Sequence, residues 1–389
     1  MGAQAKGTGK SVLTPFNVIA GIIVIIGLVI AGTRFYSGIG SVTNLDNNYP
    51  WGIWISFDLL CGVVLAAGGY TTSAACYIFG MKRYHSAVRP ALLTAFLGYA
   101  LVVFALMFDL GRPWRLPYPL FYSHGTSSLL FEVGLCVFLY LNVLFVESTP
   151  AFFERLGLKK LRHFVHKLTL PLTILGVVLS TMHQSSLGAL YLIAPSKVHP
   201  LWYSIYLPLF FFISSMFAGM SMVLFESTLA HKKFHHLMDE THLRQSNGVA
   251  FGFAKACSWI MAGYFVIKIL ALAVENKWSY LLTGWGLWWW IEMIGFVAMP
   301  CIAYAIGARE KNLPLIRRTA LWTVLGIILN RFNVSLVAYN WFLPSSQKYF
   351  PSMSEIGISL FVVTLGVLVY RFIVTHMPIF YEHPEYKGH

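Results

Sequence analysis

Ten apolar stretches constrain this chain more than any other feature: residues 15–38, 52–80, 88–109, 127–148, 166–190, 201–229, 255–276, 286–306, 315–337 and 354–376. Each is long enough to cross a bilayer. Backbone groups surrounded by lipid must find partners within their own segment, so all ten are predicted to be helical. The expected fold class is therefore all-α, a polytopic membrane protein of about ten spans. The second and sixth stretches are longer than a span needs, which predicts tilt or projecting ends. Composition agrees: 57% of the residues are hydrophobic and only 11% charged, against about 25% charged in a soluble chain.

The formal charge of +13 does not imply nucleic acid, because the basic residues lie in short loops between apolar stretches. With ten spans both termini share a side. That side holds 20 of the 28 Lys and Arg residues, including Lys6, Lys10 and Lys387; the opposite side holds 6, and Lys268 and Arg331 fall inside spans. This bias places the termini in the cytoplasm and the protein in the cytoplasmic (inner) membrane. No A-x-A cleavage site follows the first apolar run, so an uncleaved first span is expected. Tryptophans at the outer ends, such as Trp51, Trp54, Trp202 and Trp288 to Trp290, fit an interfacial aromatic belt.

Cys61, Cys76, Cys136, Cys257 and Cys301 are scattered through apolar segments without a C-x-x-C pair. They are expected to be small buried hydrophobes, giving neither an iron–sulfur cluster nor another metal site. A b-type haem in a helical bundle generally takes two axial histidines. Only His183 lies well inside a span; His124, His166, His199, His231 and His376 fall at edges or in loops. Haem is not expected.

The fifth span reads Leu175-Gly-Val-Val-Leu-Ser-Thr-Met-His-Gln-Ser185, and the ninth reads Leu325-Gly-Ile-Ile-Leu-Asn-Arg-Phe-Asn-Val-Ser335. Pro50 and Pro200 keep the same offset, and Glu132 and Glu292 nearly the same. Residues 48–190 and 198–338 therefore read as two parallel four-helix units, spans two to five and six to nine, flanked by spans one and ten within a single membrane domain.

An ionisable residue inside a span costs at least a few kcal/mol and is a functional candidate by default. Asp58, Glu132 and His183 are expected about 7–12 Å below the outer boundary at the helical rise. Lys268, Glu292 and Arg331 reach a similar depth in the second half, and Asp109 and Arg112 border the loop above. A bracing role is also open, for example an ion pair of Glu292 with Arg331. His183 opens the polar run His183-Gln184-Ser185-Ser186, each member of which needs a partner in lipid. Two acids beside an imidazole suit proton exchange.

Several strings carry a family resemblance: Pro50-Trp-Gly-Ile-Trp-Ile-Ser-Phe-Asp58, Val88-Arg-Pro-Ala-Leu-Leu93, Asp109-Leu-Gly-Arg112, Leu130-Phe-Glu132, Phe153-Glu-Arg-Leu-Gly157, Thr181-Met-His-Gln-Ser-Ser186 and Lys197-Val-His-Pro-Leu-Trp202. From about Gly40 to Phe350 the chain resembles the NrfD/PsrC-like integral membrane subunits, most of all the ten-span HybB branch found with respiratory nickel–iron hydrogenases. The resemblance implies a subunit with no haem or iron–sulfur cluster of its own, which binds quinone (menaquinone expected) near the outer face. Its electrons would come from a periplasmic iron–sulfur, ferredoxin-like partner attached to a hydrogenase, multihaem cytochrome or other redox module.

In that reading His183 hydrogen-bonds one quinone oxygen, and Asp58 and Glu132 exchange protons. Gln184, Ser185 and Ser186 orient the ring or a water, while Asp109 and Arg112 organise the mouth. Arg89, Glu147 and Glu226, with Lys268, Glu292 and Arg331 deeper, are candidates for a proton path to the cytoplasm. A secondary transporter is the alternative from another class, although no pair of Gly/Pro-broken helices stands in corresponding positions. A plain membrane anchor would need far fewer spans.

Overall fold

A computed structural model describes residues 14–381, so Lys6, Lys10, Lys387 and the tail beyond Tyr381 lie outside the described residues. Ten helices long and apolar enough to span a membrane account for most of it: α1 Pro15–Ser37, α2 Trp54–Ile78, α3 Lys82–Asp109, α4 Leu129–Leu156, α5 Lys159–Ala189, α6 Leu207–Leu237, α7 His242–Val274, α8 Gly284–Arg309, α9 Leu313–Val337 and α10 Met353–His376. Among the described residues there is no β-strand, only an isolated bridge between Val198 and Tyr339. The protein is an integral membrane protein of ten apolar helices. We call the face shared by the termini proximal and the opposite face distal.

Local chemistry explains the ends. Thr14 accepts from the Asn17 amide (3.2 Å) and Pro15 occupies the first turn, where a missing N–H costs nothing. Ser352 and Glu355 form a capping box that starts α10. α4 stops at Gly157, whose φ of 70° is a left-handed cap.

Several helices outrun the apolar stretches at the proximal face. α4 continues to Leu156 rather than 148, α5 begins at Lys159 rather than 166, α6 runs to Leu237 rather than 229, and α7 begins at His242 rather than 255. A helix does not need lipid once it is nucleated, so its polar ends project into water. At the distal face α6 starts at Leu207 rather than 201, because Val198 to Ser204 form a largely buried loop anchored by His199 N to Ala338 O (2.8 Å) and Asn340 N to Lys197 O (2.6 Å).

α2 packs on α3 and α5, and α4 lies against both α3 and α5; α6 likewise packs on α7 and α9, with α8 against both. α2 and α5 meet α6 at the centre, and α1 and α10 pack together along α3. At the α2–α6 crossing the backbones touch: a Cβ on Gly68 would sit 2.8 Å from the carbonyl oxygen of Gly219. Without a side chain at either position the helices approach closely, which is how lipid-embedded helices gain packing.

Candidate functional site

Two clusters of buried polar groups lie in the distal half. In the first, His183 of α5 is fully buried. Its Nδ1 donates to the Leu179 carbonyl (2.7 Å), which leaves Nε2 to accept from the Tyr99 hydroxyl of α3. That pairing sets the tautomer of the neutral ring. Tyr99 stands edge-on to the imidazole at 5.3 Å, and Tyr140 of α4 lies 5.7 Å away. The Tyr140 hydroxyl and Ser180 Oγ are buried facing each other, without a well-formed hydrogen bond.

Gln184 reaches across to α2 and donates to the Val63 carbonyl (3.1 Å). The donor is needed because α2 tightens at that point: the Ala67 amide bonds to Val64 O (3.4 Å) rather than one residue further back. One turn further along α5, Ser186 Oγ donates to Glu132 Oε1 (2.7 Å), in the first turn of α4. Glu132 is only partly buried, so the pair lies at the bundle's edge; Ser185 is likewise half-buried.

Asp58 does not join this cluster. It lies on a π-helical stretch, Trp54–Leu59, and accepts from Ser359 of α10 (2.7 Å). Sequence spacing sets depth along a helix, but azimuth separates Asp58 from Glu132 and His183. Asp109, one of whose oxygens is buried without a partner, closes α3 beside Arg34. The Arg34 guanidinium donates to the carbonyls of Phe108 (2.8 Å) and Leu110, capping that helix. Arg112 is exposed on the loop. Glu355 receives Ser352 N (2.8 Å), Asn44 N (3.0 Å) and the Tyr349 hydroxyl.

The second cluster centres on Glu292, again in a π-helical stretch, Ile291–Ala298. Its carboxylate accepts from Asn330 (2.6 Å), Asn333 (2.5 Å) and the Trp202 indole (2.8 Å). Arg331 donates to Asn330 Oδ1 (2.7 Å) and to Ser214 (2.8 Å), and its guanidinium lies over the Phe211 ring at 3.8 Å. The expected ion pair of Glu292 with Arg331 is thus replaced by a relay through the Asn330 amide. Next to Ser214, Ser215 pairs with the Tyr70 hydroxyl across the α2–α6 contact (3.0 Å). π-Helical turns recur at functional sites because the extra residue re-aims side chains; Asp58, Glu292 and Asn333 all sit on them.

The inner candidates do not form one path. Arg89 grips Glu154 with both terminal nitrogens (2.6 and 3.1 Å), and Arg162 adds a third bond (2.8 Å). Glu147 accepts from Thr173 (2.9 Å) and Glu226 from Thr94 (2.5 Å). The other Glu226 oxygen is buried and faces the Tyr370 hydroxyl. Glu226 lines a cleft near the proximal face with Ser227, His242, Ser246 and Arg317. Tyr99 lies in no string that sequence reading singled out, whereas Glu154 lies in Phe153-Glu-Arg-Leu-Gly157 and Asn330 and Asn333 in the repeated string, none of them marked there as a site residue.

Among the described residues no group of three or more His, Cys, Asp or Glu is arranged to hold a metal ion. On the distal loop, His199 is buried among Trp202, Tyr280, Trp285 and Trp341, stacked on Trp285 at 4.9 Å. Burial, with Lys277 nearby, lowers its pKa to about 4.

Comparison with known proteins adds the family. The model for "Polysulphide reductase, NrfD" matches residues 41–342. A protein of Nitratidesulfovibrio vulgaris is 65% identical over 99% of both chains. The "Probable Ni/Fe-hydrogenase 2 b-type cytochrome subunit" of Escherichia coli is 35% identical, covering 95% of this chain and 93% of its own. The "Menaquinone reductase, integral membrane subunit" of N. vulgaris is 26% identical, covering 92% and 90%. Ten apolar helices, two buried polar clusters and a family match spanning both halves lead to one conclusion: this chain belongs to the NrfD family of proteins.

Proposed function

We propose that the protein is the quinone-interacting membrane subunit of a respiratory redox complex, with its proximal face in the cytoplasm. An iron–sulfur, ferredoxin-like partner on the distal, periplasmic side, attached to a hydrogenase, multihaem cytochrome or other redox module, would exchange electrons with the menaquinone pool. The carrying observation is the Ser186–Glu132 bond, one turn distal of the buried His183–Tyr99 pair. A half-buried carboxylate at the bundle edge is reachable from the bilayer, where a lipophilic substrate arrives. The buried Tyr140 and Ser180 hydroxyls, which face each other beside His183 without a well-formed bond, leave hydrogen-bonding capacity that fits quinone oxygens or an ordered water.

Reduction of quinone to quinol takes up two electrons and two protons. Glu132 carries a proton to or from the nearer oxygen, and Ser186 holds the carboxylate in place. His183 acts through Tyr99: its neutral Nε2 accepts the phenol hydrogen bond and polarises that hydroxyl, with Gln184 and Ser185 on the same helix. Asp58, Asp109 and Arg112 then belong to the distal approach rather than to this cluster. This reading needs no haem. Glu132→Gln in the purified complex tests it: quinone turnover should fall at least about a hundredfold, within the range of a general acid–base, while partner subunits still co-purify. Unchanged turnover refutes the role, loss of the assembled complex makes Glu132 a brace, and solute uptake by the chain alone would favour a transporter.

The buried Glu226 carboxyl, which lines the proximal cleft and faces the Tyr370 hydroxyl, favours a second, compatible role as proton entry. Turnover in proteoliposomes that ignores membrane potential, with Glu226→Gln silent, would remove it. The parallel repeat of residues 48–190 and 198–338 belongs to the same proposal, supported by Glu132 and Glu292 each taking a bond from the following helix of its half.

A further inference from the structure

The second cluster holds an uncompensated charge. Glu292 and Arg331 are both engaged through Asn330, and both are buried, at 3% and 1% exposure. Lys268 of α7 is also buried, at 6% exposure, about 9 Å short of the distal end of its helix at the usual rise. Among the described residues its ammonium makes no hydrogen bond or ion pair. Its neighbours are aromatic faces, Phe210 with the centroid 4.2 Å from Nζ and Tyr264 at 5.8 Å. Such faces favour the charged form, but they do not neutralise it, and an unpaired charge at this depth is costly.

Lys268 lines a small cavity together with Tyr203, Ser204, Glu275 and Trp289, close to the distal loop. The polar groups at its rim already have partners. Glu275 takes Ser204 Oγ (2.7 Å), Ile205 N (3.0 Å) and Lys277 Nζ (2.5 Å), and Lys277 also donates to Tyr203 O (2.7 Å). The cavity is partly open and its enclosed part holds about one water-sized species, so an ion of halide radius fits at its open mouth and nothing much larger does. That excludes a ring, a phosphate or a sulfate. We propose that this cavity is a binding site for one small monovalent anion of halide size, entering from the distal face and held by the Lys268 ammonium. The anion balances the surplus positive charge of Lys268 and Arg331 over Glu292.

The test uses the full-length protein in nanodiscs, with chloride as the probe. The chloride-35 resonance should broaden in the presence of the wild-type protein, and bromide should reverse the excess broadening. Lys268→Met should abolish it, and Lys268→Arg should retain at least half. Should Lys268→Met fail to fold, Ala271→Leu decides, because it fills the cavity wall while leaving the lysine in place and should also abolish the signal. No bromide-sensitive broadening by the wild type would overturn the proposal. So would equal broadening by a folded Lys268→Met, or by Ala271→Leu where the lysine variant is unfolded; these results would leave Lys268 as a neutral amine.

Discussion

Glu292→Gln should be far more costly than an isosteric change suggests. The side chain receives three donors on two oxygens: Asn330 on one, and Asn333 with Trp202 on the other. Glutamine must turn an NH2 group toward one side. If it faces Asn330, that amide has to flip, and the Arg331 guanidinium then meets a donor where it had an acceptor. If it faces Asn333, a flip there breaks the bond from the Trp288 indole (3.0 Å), and Trp202 is still left facing a donor. Every arrangement orphans at least one buried donor, at about 1–3 kcal/mol, and removes the carboxylate opposing Arg331. The total should be about 3–5 kcal/mol, the usual cost of breaking a buried charged pair. Equilibrium unfolding in mixed micelles measures it. Combining Glu292→Gln with Arg331→Met should restore at least about 1 kcal/mol relative to additivity, since the two residues share Asn330. A change below about 0.5 kcal/mol, or strict additivity, would refute the relay and return Glu292 to the candidates for a proton path.

Tyr99→Phe should cost about 1–3 kcal/mol in the same assay, because the buried Nε2 of His183 loses its donor, and it should slow quinone turnover without dissociating partners. Glu154→Gln should destabilise by about 3–5 kcal/mol, since it leaves Arg89 and Arg162 against a neutral amide; a silent variant would show that water screens the cluster. His199 should make stability fall as pH drops from about 6.5 toward 4, because the unfolded chain binds a proton that the buried ring refuses. Unfolding midpoints across that range should flatten in His199→Gln, and an unchanged slope would exclude His199 as the source. The purified chain should show no Soret band and no pyridine haemochrome; a stoichiometric b-type spectrum would overturn the haem-free reading.

Depth was legible in the sequence and azimuth was not. The helical rise assigns Asp58, Glu132 and His183 to one layer, but which side of each helix faces which neighbour depends on packing and on the π-helical turn carrying Asp58. Likewise Glu292 and Arg331 were visible as buried charges, whereas the amide joining them was not, because the repeated string that holds Asn330 does not say which side chains it meets. The polar helix ends extended unseen for a related reason: hydropathy reports the solvent around a helix, not where its hydrogen bonding stops.

What the sequence determined by itself is therefore the number of helices, their membrane solvent and the charges that lipid makes expensive. Those follow from local chemistry, since every backbone group in a bilayer must be satisfied within its own segment. Only the tertiary structure decided that His183 is held by Tyr99, that Glu154 joins two arginines, and that Lys268 is left with aromatic faces and a cavity. Such partners come from helices far apart in the chain, and close backbone crossings such as Gly68 against Gly219 fix which faces meet.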